Sequence, residues 1–190
     1  MKFVIASHNK GKIEEFKRIL NPLGIELIEA DLSEVEENGE TFKENAYIKA
    51  KSACLETNLP SIADDSGLCI DALNGEPGVR TARYAPVGER KKTVLKNMEN
   101  IPDNKRTASF VAAISCVFPS GDEISAEGRC FGKIGYECKG NGGFGYDPIF
   151  MVGEKSFAEM SGEEKDKISH RGLALIEFKN KLSEYLNNKE

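Results

Sequence analysis

The chain is 190 residues long, with 39% hydrophobic and 30% charged residues. These are the proportions of a soluble globular protein of one large domain or two small lobes, and they exclude a disordered or membrane-embedded chain. The 26 Lys and Arg against 31 Asp and Glu leave a formal charge of −5. That argues against nucleic-acid binding, which needs a basic face, but allows a local cationic pocket for one small polyanion.

Residues 3–6, FVIA, form a short apolar run that predicts a buried strand. Polar SHNKGK, 7–12, follows, and Ile13, Phe16, Ile19 and Leu20 then recur at helical spacing until Pro22. This order gathers loop groups and a helix N-terminus beyond the carboxyl end of a strand, where α/β folds bind anions. A second strand is expected at 25–29 and an acidic loop, SEVEENGE, at 33–40. Thr41 and Glu44 match a capping box ahead of a helix running to about Glu56, and Pro60 closes the connection. Residues 61–73 are expected as strand, turn and strand, with the turn at Asp64-Asp65-Ser66-Gly67. GEPGV, 75–79, reads as a loop and 90–99 as a short helix. Residues 107–118 are the longest strand candidate, and a turn at 120–122 leads into 123–130, an antiparallel hairpin. GNGGFGYDP, 140–148, is too rich in glycine for a regular element, and PIFMV gives a further strand. Ser161 and Glu164 form a second capping-box candidate. A last helix starting near His170 is expected to bury Leu175, Ile176, Leu182 and Leu186. The mixture predicts an α/β fold with a mixed sheet and two lobes around a cleft.

The five cysteines, Cys54, Cys69, Cys116, Cys130 and Cys138, are odd in number and form no CxxC pair, and there are only two histidines. Free thiols in a reducing cytoplasm are therefore expected, rather than a disulfide framework or structural zinc. The N-terminal apolar run is too short for a signal peptide or a membrane span.

Five polar segments carry chemistry. Ser7, Asn9, Lys10 and Lys12 offer a hydroxyl, an amide and two ammonium groups beside backbone N–H donors, a set suited to phosphates, although no Walker A pattern is present. Glu36, Glu37 and Glu40, with Asp64 and Asp65, are hard oxygen donors of the kind Mg²⁺ takes. Lys49 and Lys51 lie two apart on a helix, so at most one faces the same pocket. In GGFGYDP the glycines permit close backbone approach, Phe144 or Tyr146 can stack on a base, and Asp147 is an acceptor. Lys165, Ser169, His170 and Arg171 precede the last helix, where Arg171 and the helix N-terminus can hold an anion or a carbonyl oxygen. Together they describe a nucleotide site with metal-assisted hydrolysis.

The stretches SHNKGKIEE, ENGETFKENAYIKA, ADDSGL, GEPGVRTARYA, GGFGYDPIF and EEKDKISHRGLAL, in this order, resemble the inosine triphosphate pyrophosphatase family. The resemblance spans residues 7 to about 175. It implies an elongated mixed β-sheet flanked by helices, a single domain over 1–190 with two lobes and a central cleft, and a homodimer. It implies Mg²⁺-dependent hydrolysis of ITP, dITP and XTP to the monophosphate and pyrophosphate, clearing deaminated purines from the nucleotide pool. By the same resemblance, Ser7, His8, Asn9, Lys10, Gly11 and Lys12 would hold the phosphates, assisted by Lys49. Glu37 and Asp65 would hold Mg²⁺, and Asp65 would also be the general base. Ser66 would touch the substrate. Phe144 would stack on the base, within a stretch that includes Gly145 and Tyr146, while Asp147, Lys165, His170 and Arg171 would line the base and sugar end. His8 departs from the family's pattern, which mostly has glycine there. Selectivity would come from a donor such as Arg171 or a backbone N–H facing the C6 carbonyl, which adenine lacks. Two other readings fit the same cleft: a nucleotide sensor without turnover, and a triphosphatase for another modified nucleotide.

Overall fold

A computed structural model describes residues 2–188; Met1, Lys189 and Glu190 lie outside the described residues. Along the chain run β1 (Lys2–Ile5), α1 (Lys10–Leu20), β2 (Glu26–Glu29), α2 (Phe42–Thr57), β3 (Ser61–Ile70), α3 (Arg90–Asn97) and β4 (Thr107–Val117). They continue with β5 (Glu123–Ile134), β6 (Phe150–Val152), β7 (Lys155–Ser156), α4 (Gly162–Ile168) and α5 (His170–Asn187). The strands form one seven-stranded mixed sheet in the order β2-β1-β3-β4-β5-β6-β7. β1 is parallel to both its neighbours, and its apolar run is buried throughout, as a strand covered on both faces requires. From β3 to β7 every pairing is antiparallel, including the expected β4–β5 hairpin.

β3 corrects the expected strand, turn and strand. It runs unbroken from Ser61 to Ile70, with Asp64 opposite Ile114 and Gly67 opposite Val111 in the β4 ladder. Turn propensity loses here because the polar side chains find tertiary partners: Asp64 and Ser66 meet Arg171, and Asp65 meets Asn45. Strand alternation then separates the two aspartates. Ile62, Asp64, Ser66, Leu68 and Ile70 share one face; Ala63, Asp65 and Gly67 share the other.

That alternation organises the core. On the Asp64 face, one apolar cluster joins Ile62 and Ile114 to Phe16 of α1 and Leu175 and Phe178 of α5. A second joins Leu68 and Ile70 to Phe110, Phe150 and Phe157. Asp64 and Ser66 fall between them on the strand. On the Asp65 face, Ala50, Ala53 and Cys54 of α2 pack on Ala63 and Val117. Small residues let the helix lie close to the sheet. β1 pairs with β3 only at Ser61 and Ile62; beyond them, among the described residues, this edge of β3 carries only an isolated bridge from Pro77 to Cys69.

Smaller differences have local causes. α1 starts at Lys10, within the polar stretch expected at the helix start, because the Asn9 side chain accepts from the Lys12 N–H at 3.2 Å and caps it. β5 continues past residue 130 to Ile134, and residues 147–149 form a 3₁₀ turn that leaves only Phe150–Val152 of PIFMV as strand. Both capping boxes form, at Thr41/Glu44 and at Ser161/Glu164. The second starts a separate short helix, α4, and Ser169 then caps α5 by accepting from Gly172 N–H at 3.1 Å. Ile176 is not buried as expected but 50% exposed, since Leu175, Phe178 and Leu182 take the inward stripe. The five cysteines are free thiols, and among the described residues no helix is long and apolar enough to cross a membrane.

Candidate active site

A cavity of about 460 Å³ opens beside Asp65 and Ser66 of β3. It is lined by the loop after β1, the acidic loop before α2, β3, residues 79–90, the 144–147 stretch and the N-terminal end of α5. The size suits a small-molecule ligand.

One side is ionic. Lys49 Nζ lies 3.0 Å from Glu37 Oε2 and 3.6 Å from Asp65 Oδ1, so a single ammonium bridges the two carboxylates. Glu36 and Glu40 are exposed and outside the lining, and so is Lys51, which leaves Glu37 and Lys49 as the inward members of those sets. Burial pushes the Asp65 carboxyl above its ordinary pKa, opposed by Lys49 and Lys12. Asn45, 1% exposed, donates from Nδ2 to Asp65 Oδ2 at 3.2 Å and accepts the Gly39 N–H on Oδ1 at 2.8 Å. It ties the acidic loop to the Asp65 strand.

Ser7, His8, Asn9 and Lys12 line the cavity, whereas Lys10 is exposed and does not. Lys12 Nζ sits 3.1 Å from Asp64 Oδ1; burial lowers its pKa, and Asp64 opposes that shift. Gly11 has another use. A Cβ there would stand 2.6 Å from the Phe144 ring, so the ring rests on the bare helix start.

The other side is aromatic above and ionic beneath. Phe144 is half-buried, and Lys165 Nζ lies 4.8 Å from its ring centroid. Lys165 is itself buried between Glu15 Oε1 at 2.8 Å and Asp147 Oδ2 at 2.7 Å. Asp147 Oδ2 also accepts the Phe144 N–H at 2.8 Å, closing the tight turn through Gly145. Burial raises the Asp147 pKa, against the pull of Lys165. Tyr146 turns away into the core and donates to Thr81 O at 3.0 Å; burial pushes its phenol up to about 12. Of the two aromatics, Phe144 is the one open to a base.

Arg171 lines the cavity from beneath. It is fully buried, donating from Nε and Nη2 to Asp64 Oδ2 at 3.1 and 2.8 Å, from Nη2 to Ser66 Oγ at 2.8 Å, and from Nη1 to Glu15 Oε2. Most of its donors are thus used inside the protein, and Ser66 is oriented by the same contact. Burial raises and Arg171 and Lys12 lower the Asp64 pKa; the cations win, and Asp64 stays ionised far below the ordinary range. Asp64 and Asp65 therefore do not share a role. His170 is buried, stacked on Phe110 at 4.6 Å, and held neutral first by burial and then by Arg171 and Lys165. Its Nδ1 has no hydrogen-bond partner among the described residues.

Glu15 and Asn45 were not among the sequence candidates. Both sit in helical stripes of small or apolar residues, Glu15 beside Phe16 and Asn45 between Phe42 and Ala46. A polar residue in such a stripe signals a buried partner. Arg83 and Arg90 also line the cavity and were not singled out.

The model of the Ham1 family matches residues 3–181. A dITP/XTP pyrophosphatase from Symbiobacterium thermophilum is 45% identical, covering 92% of this chain and 91% of that protein. A dITP/XTP pyrophosphatase from Bacillus cereus is 44% identical over 96% and 95% of the two chains. A solved HAM1 protein from Coxiella burnetii superposes with a TM-score of 0.87 at 40% identity, covering 97% of this chain and 99% of that one. The Staphylococcus aureus Ham1 protein superposes with a TM-score of 0.80 at 38% identity over the whole of both chains. With a family model matching residues 3–181 and relatives more than 40% identical along nearly the whole chain, the chain belongs to the Ham1 family.

Proposed function

We infer that this protein hydrolyses non-standard purine nucleoside triphosphates, ITP, dITP and XTP, to the monophosphate and pyrophosphate. The observation that carries the reading is one cavity joining a half-buried aromatic face, Phe144, to a cluster of lysines and carboxylates, Lys12, Lys49, Glu37 and Asp65. The activity in the names of the relatives agrees with it.

The donor set fits Mg²⁺. Glu37 and Asp65 present hard carboxylate oxygens around a position already filled by positive charge, the Lys49 ammonium. Among the described residues no cluster of three or more His, Cys, Asp or Glu ligands occurs. A site of two carboxylates completed by water and substrate phosphates is what Mg²⁺ accepts. When bound, Mg²⁺ supplies charge neutralisation on the phosphates.

The chain's own residues supply the rest. Asp65, with Oδ2 fixed by Asn45, takes a proton on Oδ1 from the water that attacks the α-phosphorus. Lys12 and Lys49 neutralise charge on the phosphates as pyrophosphate leaves. Phe144 stacks on the purine. Lys165, with two of its three donors spent on Glu15 and Asp147, keeps one N–H for the C6 carbonyl of hypoxanthine or xanthine. His170 lines the same cavity. Adenine, with an amino donor at that position, meets another donor and is rejected.

We read the chain as one domain of two lobes, acting in the cytoplasm as a homodimer. Light scattering at micromolar concentration should give twice the chain mass; a monomer would overturn that part. For the reaction, purified protein with Mg²⁺ is given ITP, XTP, ATP and GTP in parallel, and the products are resolved. Monophosphate plus pyrophosphate from ITP and XTP, with ATP and GTP nearly untouched, is expected. Release of single phosphates, equal turnover of all four, or none would sink the reading.

A further inference from the structure

We propose that Arg83 and Arg90 form a second cationic contact, one that takes the distal phosphates of the substrate. The proposal rests on the reading of the cavity as a nucleoside triphosphate site and adds residues that reading does not use.

The argument begins with charge. Each of the deeper cavity cations already faces a carboxylate: Lys12 faces Asp64, Lys49 faces Glu37 and Asp65, Lys165 faces Asp147, and Arg171 faces Asp64. A cation held by a carboxylate has much of its field cancelled before the ligand arrives. A triphosphate carries several negative charges and gains most from cations that are not yet paired. Arg83 and Arg90 are the cavity-lining cations with no carboxylate in ion-pair distance among the described residues. Their neighbours differ. Arg80 faces Glu76 at 3.4 Å and Lys92 faces Glu89 at 3.1 Å, and neither lines the cavity.

The second argument is position. The 78–83 turn is not a loose loop. Thr81 Oγ1 accepts the Leu68 N–H at 2.9 Å, and Thr81 O accepts the Tyr146 hydroxyl at 3.0 Å. The turn also sits directly on β3 at Gly67. A Cβ there would lie 2.4 Å from Gly78 O and 2.6 Å from Thr81 Oγ1, so only glycine permits this contact. Gly67 lies two residues beyond Asp65 on the same face of the strand. Arg83 is therefore carried on a turn fixed to the strand that bears the proposed base. Arg90, at the start of α3, donates from Nε to Ala85 O at 3.4 Å and keeps its terminal nitrogens for a ligand. Guanidinium groups bind phosphate oxygens in pairs, so the two side chains suit a pyrophosphate end better than a single phosphate.

The test uses Arg83→Ala, Arg90→Ala, the double variant and the double lysine variant. Inorganic pyrophosphate and inosine monophosphate are titrated calorimetrically with Mg²⁺ present, and ITP turnover is measured alongside. In the double alanine variant the pyrophosphate Kd and the KM for ITP should each rise about ten-fold or more, a loss in keeping with charge-assisted phosphate bonds. The monophosphate Kd should stay within about two-fold, and lysine at both positions should restore part of the loss. Unchanged pyrophosphate binding in the double variant overturns the proposal, as does equal weakening of the monophosphate. Arginine-dependent pyrophosphate binding by a protein that turns over no triphosphate would uphold this contact and sink the assigned reaction instead.

Discussion

Asp64 and Asp65 are neighbours in sequence whose pKa values are pushed in opposite directions by their surroundings. Arg171 and Lys12 keep Asp64 ionised well below the usual range, while burial raises the Asp65 pKa against the pull of Lys49 and Lys12. Carboxylates whose pKa values are pushed apart divide into structural and chemical roles. Asp65→Asn is expected to cut kcat by about 10²–10⁴ while leaving the melting temperature and nucleotide binding close to those of the unaltered protein. Since the base must be ionised to take the proton, kcat should fall as pH drops and the Asp65 carboxylate is protonated, and the acid limb of a pH–rate profile checks this. For Asp64 the folded pKa is depressed, so its stabilisation is fully present above the ordinary carboxylate range and is lost as pH falls below it. These two residue types were legible from DDSG alone, but their division was not. It depends on which face of β3 each one takes and on an arginine more than a hundred residues away.

At the scale of elements, helix starts were the most legible feature, because a cap is a contact between residues three apart. Thr41 and Glu44 close their box as the sequence suggests, and Glu44 Oε2 also holds the Glu40 and Thr41 N–H groups at 2.8 and 3.0 Å. Thr41→Ala should lower stability by about 1 kcal/mol, read as a shifted denaturant midpoint. With the Asn45–Gly39 bond still holding the acidic loop, kcat should stay near its starting value. β3 was less legible. Asp-Asp-Ser-Gly favours a turn by local propensity, yet the register with β4 carries it straight through the sheet. Partners on both faces outweigh a preference of a few tenths of a kcal/mol per residue.

Across the whole molecule, a buried ionic chain joins distant segments. Glu15 of α1 contacts Arg171 of α5 and Lys165 of α4; Arg171 reaches Asp64 of β3, and Lys165 reaches Asp147 of the glycine-rich stretch. Removing one member leaves buried charge uncompensated. Glu15→Gln is therefore expected to cost about 3–5 kcal/mol in urea unfolding. Asp103→Asn, which breaks an exposed pair with Lys133, should cost less than about 1 kcal/mol. Equal costs for the two would show that the network is not structural.

The sequence by itself determined the alternation of strands and helices, the capped helix starts, the hairpin, and the polar segments from which a nucleotide site is built. Those properties come from periodicity and from contacts a few residues apart, which a local reading captures. The tertiary structure decided the rest. It set Asp64 and Asp65 on opposite faces of one strand, and it placed Arg171, on the cavity lining, at the centre of an ion network. It also opened the cavity beside Asp65 and Ser66 of β3, with Arg83 and Arg90 on its lining. Such outcomes depend on topology, because a charge takes its role from the groups the fold brings against it, and here they lie up to 156 residues away.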